Sequence, residues 1–412
     1  MTTSDATRFI EERSPSLGTE SRQMPMRRNN KQKKKILLSE RTFSFGNAFL
    51  VTLLIASMRS VVVPVSQSTR AASSSFSFTA VGDYAQTNYT TANLQHIAES
   101  GASFHLALGD FAYVDRPTKT TTDQWSTYVK SHLPRHFPFE IVAGNHDPSQ
   151  MSNFVADLPD SLGATPAANY GKEYSFDYPA RNPLVRFILV SPGKDIFGYD
   201  YSQGTAHSNW VSQTIDQART AGISWVIVGM HEHCLVIGST QCGEGQDLMN
   251  LLIGKKVDLI LMAHSHSYQA SKQLALNQTT CKRVPLTRTE PSCIVTDTTK
   301  MSKGAGSVTL ILGTGGAPLK SLPDPETDPK KGYFRSWMFA NVNPTWGVAK
   351  FTVTATSLTE QFVPVTGQQG SGNFADSFTI QAGRSIFTPT PTASMTATEI
   401  IPRDAPRGSS PH

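Results

Sequence analysis

At 412 residues the chain has ample length to bury one large core or two modest ones. Its net charge of +5 resides entirely in residues 1–41, where ten Lys/Arg outnumber five acidic residues, so the body that follows is neutral. A neutral body removes any compositional case for a nucleic-acid-binding fold.

The basic stretch 1–42 reads as a disordered n-region, followed over 43–70 by "AFLVTLLIASM", Arg59 and "VVVPV". An apolar core of that length behind a cationic flank fits a secretory signal peptide. It is short for a spanning helix, which needs roughly 20 apolar residues. Length therefore favours a secreted or luminal product cleaved near Ala71. The alternative is a type II membrane protein that keeps the segment as a signal anchor. From Ser74 the pattern becomes regular. The runs "SFSFTAVGD", "SFHLALGD", "FEIVAGNHD", "RFILVS", "SWVIVGMH" and "DLILMAHSH" read as strands buried on both faces. Helical patterns lie between several of them: "TTANLQHIAESGA", "DQWSTYVKSHL", "NWVSQTIDQARTAG" and "GQDLMNLLIG". Alternation of this kind predicts a layered α/β domain, set at residues 74–383. After Met301 the reading turns to β, with "GSVTLILGTGG" and "GVAKFTVTATSLTEQFVPV". Residues 384–412, rich in Thr, Pro and Ser, read as a disordered tail.

Four cysteines fall in two close pairs, and short loops suggest Cys234–Cys242 and Cys281–Cys293, although three pairings are open. The absence of CxxC argues against a zinc knuckle or redox motif. Asn88 and Asn277 head acceptor sequons for N-glycosylation. His105, mid-strand, reads as a satisfied core residue. Asp147 and Asp177 read as turn residues, and Trp210, Trp225, Trp337 and Trp346 as packing.

Five buried runs end in groups able to bind metal: Asp83; Asp110 in "GDFAY"; Asn145 and His146 in "GNHD"; His231 in "VGMHEH"; and His264 with His266 in "AHSH". Oxygen and imidazole donors without thiolate suit Zn, Mn or Fe. Strand tips in an α/β fold converge on one crevice. This order of motifs over Phe76–Tyr268 resembles the calcineurin-like metallophosphoesterases, and among them the purple acid phosphatases of short, single-domain type. The resemblance implies a four-layer α/β/β/α sandwich with a β-rich C-terminal part. Other branches place a His two residues after the first Asp. Here that position is Ala85, and the purple acid phosphatases instead use a Tyr three residues after the bridging Asp, which here is Tyr113.

Carried onto this chain, the resemblance implies Fe(III) held by Asp83, Asp110, Tyr113 and His266. A divalent ion (Zn, Mn or Fe(II)) would be held by Asp110, Asn145, His231 and His264. It further implies an acid phosphatase that hydrolyses a small phosphate monoester by attack of a metal-bound hydroxide. His146 and Asn145 would contact the phosphoryl group, His146 would act as acid, and Tyr268 would border the pocket. Familiar members carry a second substrate-facing His where this chain has Thr240, and His233 is the nearest substitute as a catalytic group. Ala85 and Ala263 stand where the family has Gly. Two readings stay open beside this one: a phosphodiesterase or nucleotide-pyrophosphate hydrolase on the same metals, and a surface binding protein without catalysis.

Overall fold

The computed structural model describes residues 75–114, 118–162, 167–239 and 241–383. The expected leader, anchor and tail, together with Thr240, lie outside them. Among the described residues, no helix is long and apolar enough to cross a membrane.

In chain order the first half runs β1 (Phe76–Val81), α1 (Asn88–Glu99), β2 (Phe104–Ala107), α2 (Lys119–His132), β3 (Phe139–Ile141) and α3 (Met151–Asp157). It continues through β4 (Tyr174–Tyr178), β5 (Val185–Leu189), α4 (Ala206–Thr220), β6 (Trp225–Gly229), α5 (Gln246–Gly254) and β7 (Leu259–Met262). The rest is strand: β8 (Tyr268–Ser271), β9 (Gln273–Leu274), β10 (Ile294–Thr296), β11 (Lys300–Ser302) and β12 (Val308–Leu312). It closes with β13 (Phe334–Met338), β14 (Gly347–Val353), β15 (Ser357–Pro364) and β16 (Ser377–Gln381).

Two seven-stranded sheets result, ordered β11-β16-β15-β14-β1-β2-β3 and β13-β8-β12-β7-β6-β5-β4, with β9 and β10 as a separate pair. Within the first, β1, β2 and β3 are parallel. Within the second, β5, β6, β7 and β12 are parallel. Period-two alternation shows why these runs are apolar throughout. Trp225, Ile227, Leu259, Leu261 and Leu310 join the core shared with β1 and β2. Their neighbours Val226, Val228, Ile260, Met262 and Ile311 join a second core with Val211 and Ile215 of α4 and Leu252 of α5. Between the sheets the Phe187 ring meets the edges of Phe78 and Phe104, at centroid distances of 5.1 and 5.4 Å. Burying each such side chain contributes about 1.5–3 kcal/mol. The outer face of the first sheet is covered by α1 and α2 through Leu94, Ile97, Trp125 and Val129. Helix, sheet, sheet, helix is the expected layering.

Local signals place the helix starts. Thr87 caps α1 and Thr205 caps α4, each side chain accepting from a first-turn N–H, and Thr118 forms a capping box with Thr121. The helix expected from Asp123 therefore begins at Lys119. Asp177 is a correction to the sequence reading. It lies within β4, opposite Arg186 on β5, and pairs with that guanidinium. His105 is as expected, its ring held by Thr79 Oγ1 at 2.8 Å and the Tyr84 hydroxyl at 2.6 Å. Both disulfides pair as the short loops suggested, Cys234–Cys242 and Cys281–Cys293. Asn88 is exposed in the first turn of α1. Asn277 is half-buried, its amide donating to Ser292 O and its Oδ1 accepting the Thr280 and Cys281 N–H groups.

Candidate metal centre

Past the C-terminal ends of β1, β2 and β3 come Asp83, Asp110 and Asn145. Past β6 and β7 of the facing sheet come His231, His264 and His266. The crossover therefore puts carboxylates and imidazoles from two sheets around one point, as strand tips in α/β folds do. Close approach of backbones tightens the site. A Cβ on Gly144 would lie 2.2 Å from Asp110 Oδ1, and one on Gly109, at φ 84°, would lie 2.4 Å from Gly144 N.

Two groups of side chains meet across Asp110. In the first, the Tyr113 hydroxyl lies 2.6 Å from Asp83 Oδ1 and 2.8 Å from His266 Nε2, which is itself 3.3 Å from Asp83 Oδ1. In the second, Asn145 Oδ1 lies 3.1 Å from His231 Nε2 and 2.9 Å from His264 Nδ1. Asp110 Oδ2 lies 3.3 Å from His231 Nε2. Asp110, His231 and His264 alone already present three donor atoms within 4.8 Å of one another. The imidazoles are oriented from behind: His231 Nδ1 is 2.7 Å from Leu108 O and His266 Nδ1 is 2.8 Å from Pro318 O. With Nδ1–H donated to a carbonyl, each Nε2 lone pair faces the site, the usual arrangement for a metal-ligating His.

The electrostatics favour a cation at this point. Burial opposes charge on His231, yet the Asp110 and Asp83 carboxylates prevail and raise its pKa to about 10. Burial would push Asp83 up, but the His266 hydrogen bond and the His231 charge bring it below the usual carboxylate range. Burial first, then the charges of Asp83 and Asp110, drives the Tyr113 phenol far above its ordinary value. A phenolate here needs a strongly Lewis-acidic ion beside it. These hard oxygen and imidazole donors, turned inward with their lone pairs, fit a pair of metal ions.

His146 stands at the edge, half exposed, with its N–H on Asp110 Oδ1 at 2.9 Å and its ring 4.8 Å from that of Tyr113. Three residues depart from the sequence reading. Tyr268 does not border the site. It is fully buried, and its hydroxyl donates to Asp376 Oδ2 at 2.6 Å within a polar cluster with Arg335. His233 is 3% exposed behind His264, ring centroids 5.2 Å apart, and burial together with the charges of His264 and His231 lowers its pKa to about 3. A buried imidazole held neutral is a poor proton donor, which argues against the catalytic role expected of it. Asp147 is no simple turn residue. Its carboxylate accepts the N–H groups of Asp110, Phe111 and Gly144 at 2.7, 3.1 and 2.8 Å, tying two site loops together.

The sequence reading also missed Glu232, half-buried with Oε1 3.8 Å from His264 Nδ1. Its place next to His231 was the available signal. A cleft of about 790 Å³ opens from Asn145 and His264 past Glu232, walled by residues from 193–202 and 241–247.

Comparison with known proteins agrees with this geometry. Residues 76–268 match the family model of the calcineurin-like phosphoesterases. Purple acid phosphatase 18 of Arabidopsis thaliana is 23% identical over 205 residues, covering 48% of this chain and 45% of the relative. A phosphoenolpyruvate phosphatase of Allium cepa is 25% identical over 228 residues, covering 52% and 46%. The chain thus spans about half the length of the curated relatives it matches. Among solved structures, a purple acid phosphatase from yellow lupin seeds superposes with a TM-score of 0.55 at 17% identity, over 76% of this chain and 55% of that one. GAP50 of Plasmodium, described as the anchor in the inner membrane complex, gives 0.50 at 14% identity over 74% and 89%. Residues 76–268 thus match the calcineurin-like phosphoesterases, and purple acid phosphatases are among the relatives of the chain.

Proposed function

We propose that the chain is a metal-dependent acid phosphatase acting on phosphate monoesters. The convergence of Asp83, Tyr113 and His266 on one side of Asp110, and of Asn145, His231 and His264 on the other, carries this reading. The first set with Asp110 would hold Fe(III), because a phenolate donor calls for a strongly acidic ion. The second set with Asp110 would hold Zn, Mn or Fe(II). When bound, such a pair lowers the pKa of water and neutralises charge on the phosphoryl oxygens.

The chain's own residues do the rest. Leu108 O and Pro318 O fix the tautomers of His231 and His266. The Asn145 amide N–H groups donate to a phosphoryl oxygen while its Oδ1 faces the divalent set. His146, at the exposed edge, hydrogen-bonds the phosphoryl group and delivers a proton from its ring to the departing alkoxide, which leaves as the alcohol.

The test is the full chain from a secretory host, assayed for metal content, visible spectrum and hydrolysis of para-nitrophenyl phosphate against its bis ester. Expected are a broad visible band, about one iron per chain and faster monoester turnover at acid pH. A colourless zinc or manganese protein that hydrolyses only the diester would sink the proposal in favour of a phosphodiesterase.

A further inference from the structure

A second cavity, of about 440 Å³, opens at the end of β3 opposite to Asn145. Its size is within the range of small-molecule sites. It forms where the last turn of α2, the segment leading into β3 and the end of α3 come together. Val129, Leu133, Phe137, Phe139 and Leu158 line it with aliphatic and aromatic carbon. Val129, Phe139 and Leu158 belong to the buried core, whereas Leu133 and Phe137 are only half-buried.

The charge at its mouth is a second, independent observation. Lys130, Arg135 and His136 also line the cavity, and all three are exposed. None of their side chains makes a hydrogen bond or ion pair among the described residues. The turn that carries two of them is closed, with the Phe137 N–H donating to Pro134 O at 2.9 Å and His136 at φ 62°, a conformation uncommon outside glycine. One acid, Asp157, lines the cavity as well, with its Oδ2 buried. Lys130 and Arg135 together outweigh it, so the mouth is cationic.

We infer that this cavity binds a small amphipathic carboxylate, a medium-chain fatty acid in its anionic form. Its chain lies on Val129, Leu133 and Phe139, and its head meets Lys130 and Arg135 at the mouth. An apolar floor alone would accept any apolar group. The unpaired cations above it select an anion, because only an anionic head gives them a partner. The same charges disfavour the chain's own residues 1–41 as occupant, since that segment nets +5. The inference stands apart from the phosphatase reading, because the cavity shares no lining residue with the metal centre.

The test is calorimetric titration of the full chain with octanoate, butyrate and n-octanol. Octanoate is expected to bind saturably, at about one per chain. Each buried methylene strengthens binding about fourfold, so butyrate is expected to be weaker by about tenfold or more. n-Octanol, with the same chain length and no charge, is expected to bind more weakly than octanoate. The double substitution Lys130→Gln with Arg135→Gln keeps most of each side chain and removes both charges. It is expected to weaken octanoate about fivefold, as for exposed charge pairs, and to leave n-octanol unchanged. Both residues are exposed, and circular dichroism checks that the variant is folded. Should it fail to fold, the comparison of the three probes on wild type still decides. The inference is overturned if the full chain shows no saturable octanoate binding, or if butyrate or n-octanol binds as tightly as octanoate. Octanoate affinity unchanged in the double variant overturns it as well.

Discussion

Tyr113, Asp83, Asp110 and His264 share a backbone feature: each is a non-glycine residue at positive φ, between 48° and 64°. Such conformations cost of order 1–3 kcal/mol each and persist where surrounding structure imposes them, often at functional sites. Here the imposing contacts are visible, with Asp147 gripping the Asp110 turn and Asp83 Oδ2 accepting the His264 N–H at 2.9 Å. The side chains are thereby aimed at one another before any ion arrives. If the Tyr113 phenol is a ligand, Tyr113→Phe removes the visible band of the iron-loaded protein while circular dichroism stays native; an unchanged visible spectrum rejects that role. His146 makes a different demand, because its ring hangs at the edge and none of the seven expected ligands depends on it. His146→Ala is expected to lower kcat by about 10²–10⁴-fold, the range of general acid catalysis, with metal content retained. Parallel loss of metal and turnover would reclassify it as a ligand.

At the level of strands and helices, the site exists because β1, β2 and β3 run parallel and stop in register, as do β6 and β7. Each apolar run ends where its side chains must leave the core, so the polar residue just beyond it is delivered to the same edge. Strand β3 carries a further consequence. Glu140 lies within it at 1% exposure, bonded to Ser161, and burial together with the charge of Asp160 raises its pKa to about 8. A folded-state pKa above the unfolded value means that the proton stabilises the fold. That stability is full below pH ~4.5 and is lost as pH rises through about 8. Glu140→Gln should therefore raise the melting temperature at pH 8 and change it little at pH 4.5. Equal shifts at both pH values would show that the carboxyl group is not what the protein titrates.

The whole molecule brings these pieces together only when the two sheets pack. Asp83, Asp110 and Asn145 belong to one sheet and His231, His264 and His266 to the other. The proposed ions would therefore link the two sheets at the C-terminal ends of their strands. Metal that binds the folded but not the unfolded chain stabilises it by about 4 kcal/mol at a concentration a thousand times Kd. Chelation should lower the melting temperature by several degrees, reversibly on adding metal back. A melting temperature indifferent to chelator would mean that the converged residues do not hold ions across the sheets. The disulfide between Cys234 and Cys242 closes the loop that follows His231.

The layered α/β class, the buried strands and the residues at their tips were legible in the sequence because they follow from local rules. Runs apolar on both faces have to be covered by helices, and short cysteine loops close on themselves. Tyr113 could be picked out only through the resemblance to the purple acid phosphatases, which place a Tyr three residues after the bridging Asp. What could not be read was which way a side chain faces once two sheets have packed. Tyr268 lies two residues beyond His266, yet strand alternation turns it into the core against Asp376. His233 lies two residues beyond His231 and is sealed behind His264. The helix read from Asp123 begins at Lys119, while residues 268–302 hold four short strands, of which β9 and β10 pair with each other and β8 and β11 pair with strands further along the chain. Asp195, Asp200 and Glu244, apart in sequence, come to line one cleft only through packing. Contacts between distant segments are set by the free energy of burying shared apolar surface, and no local pattern encodes where they fall.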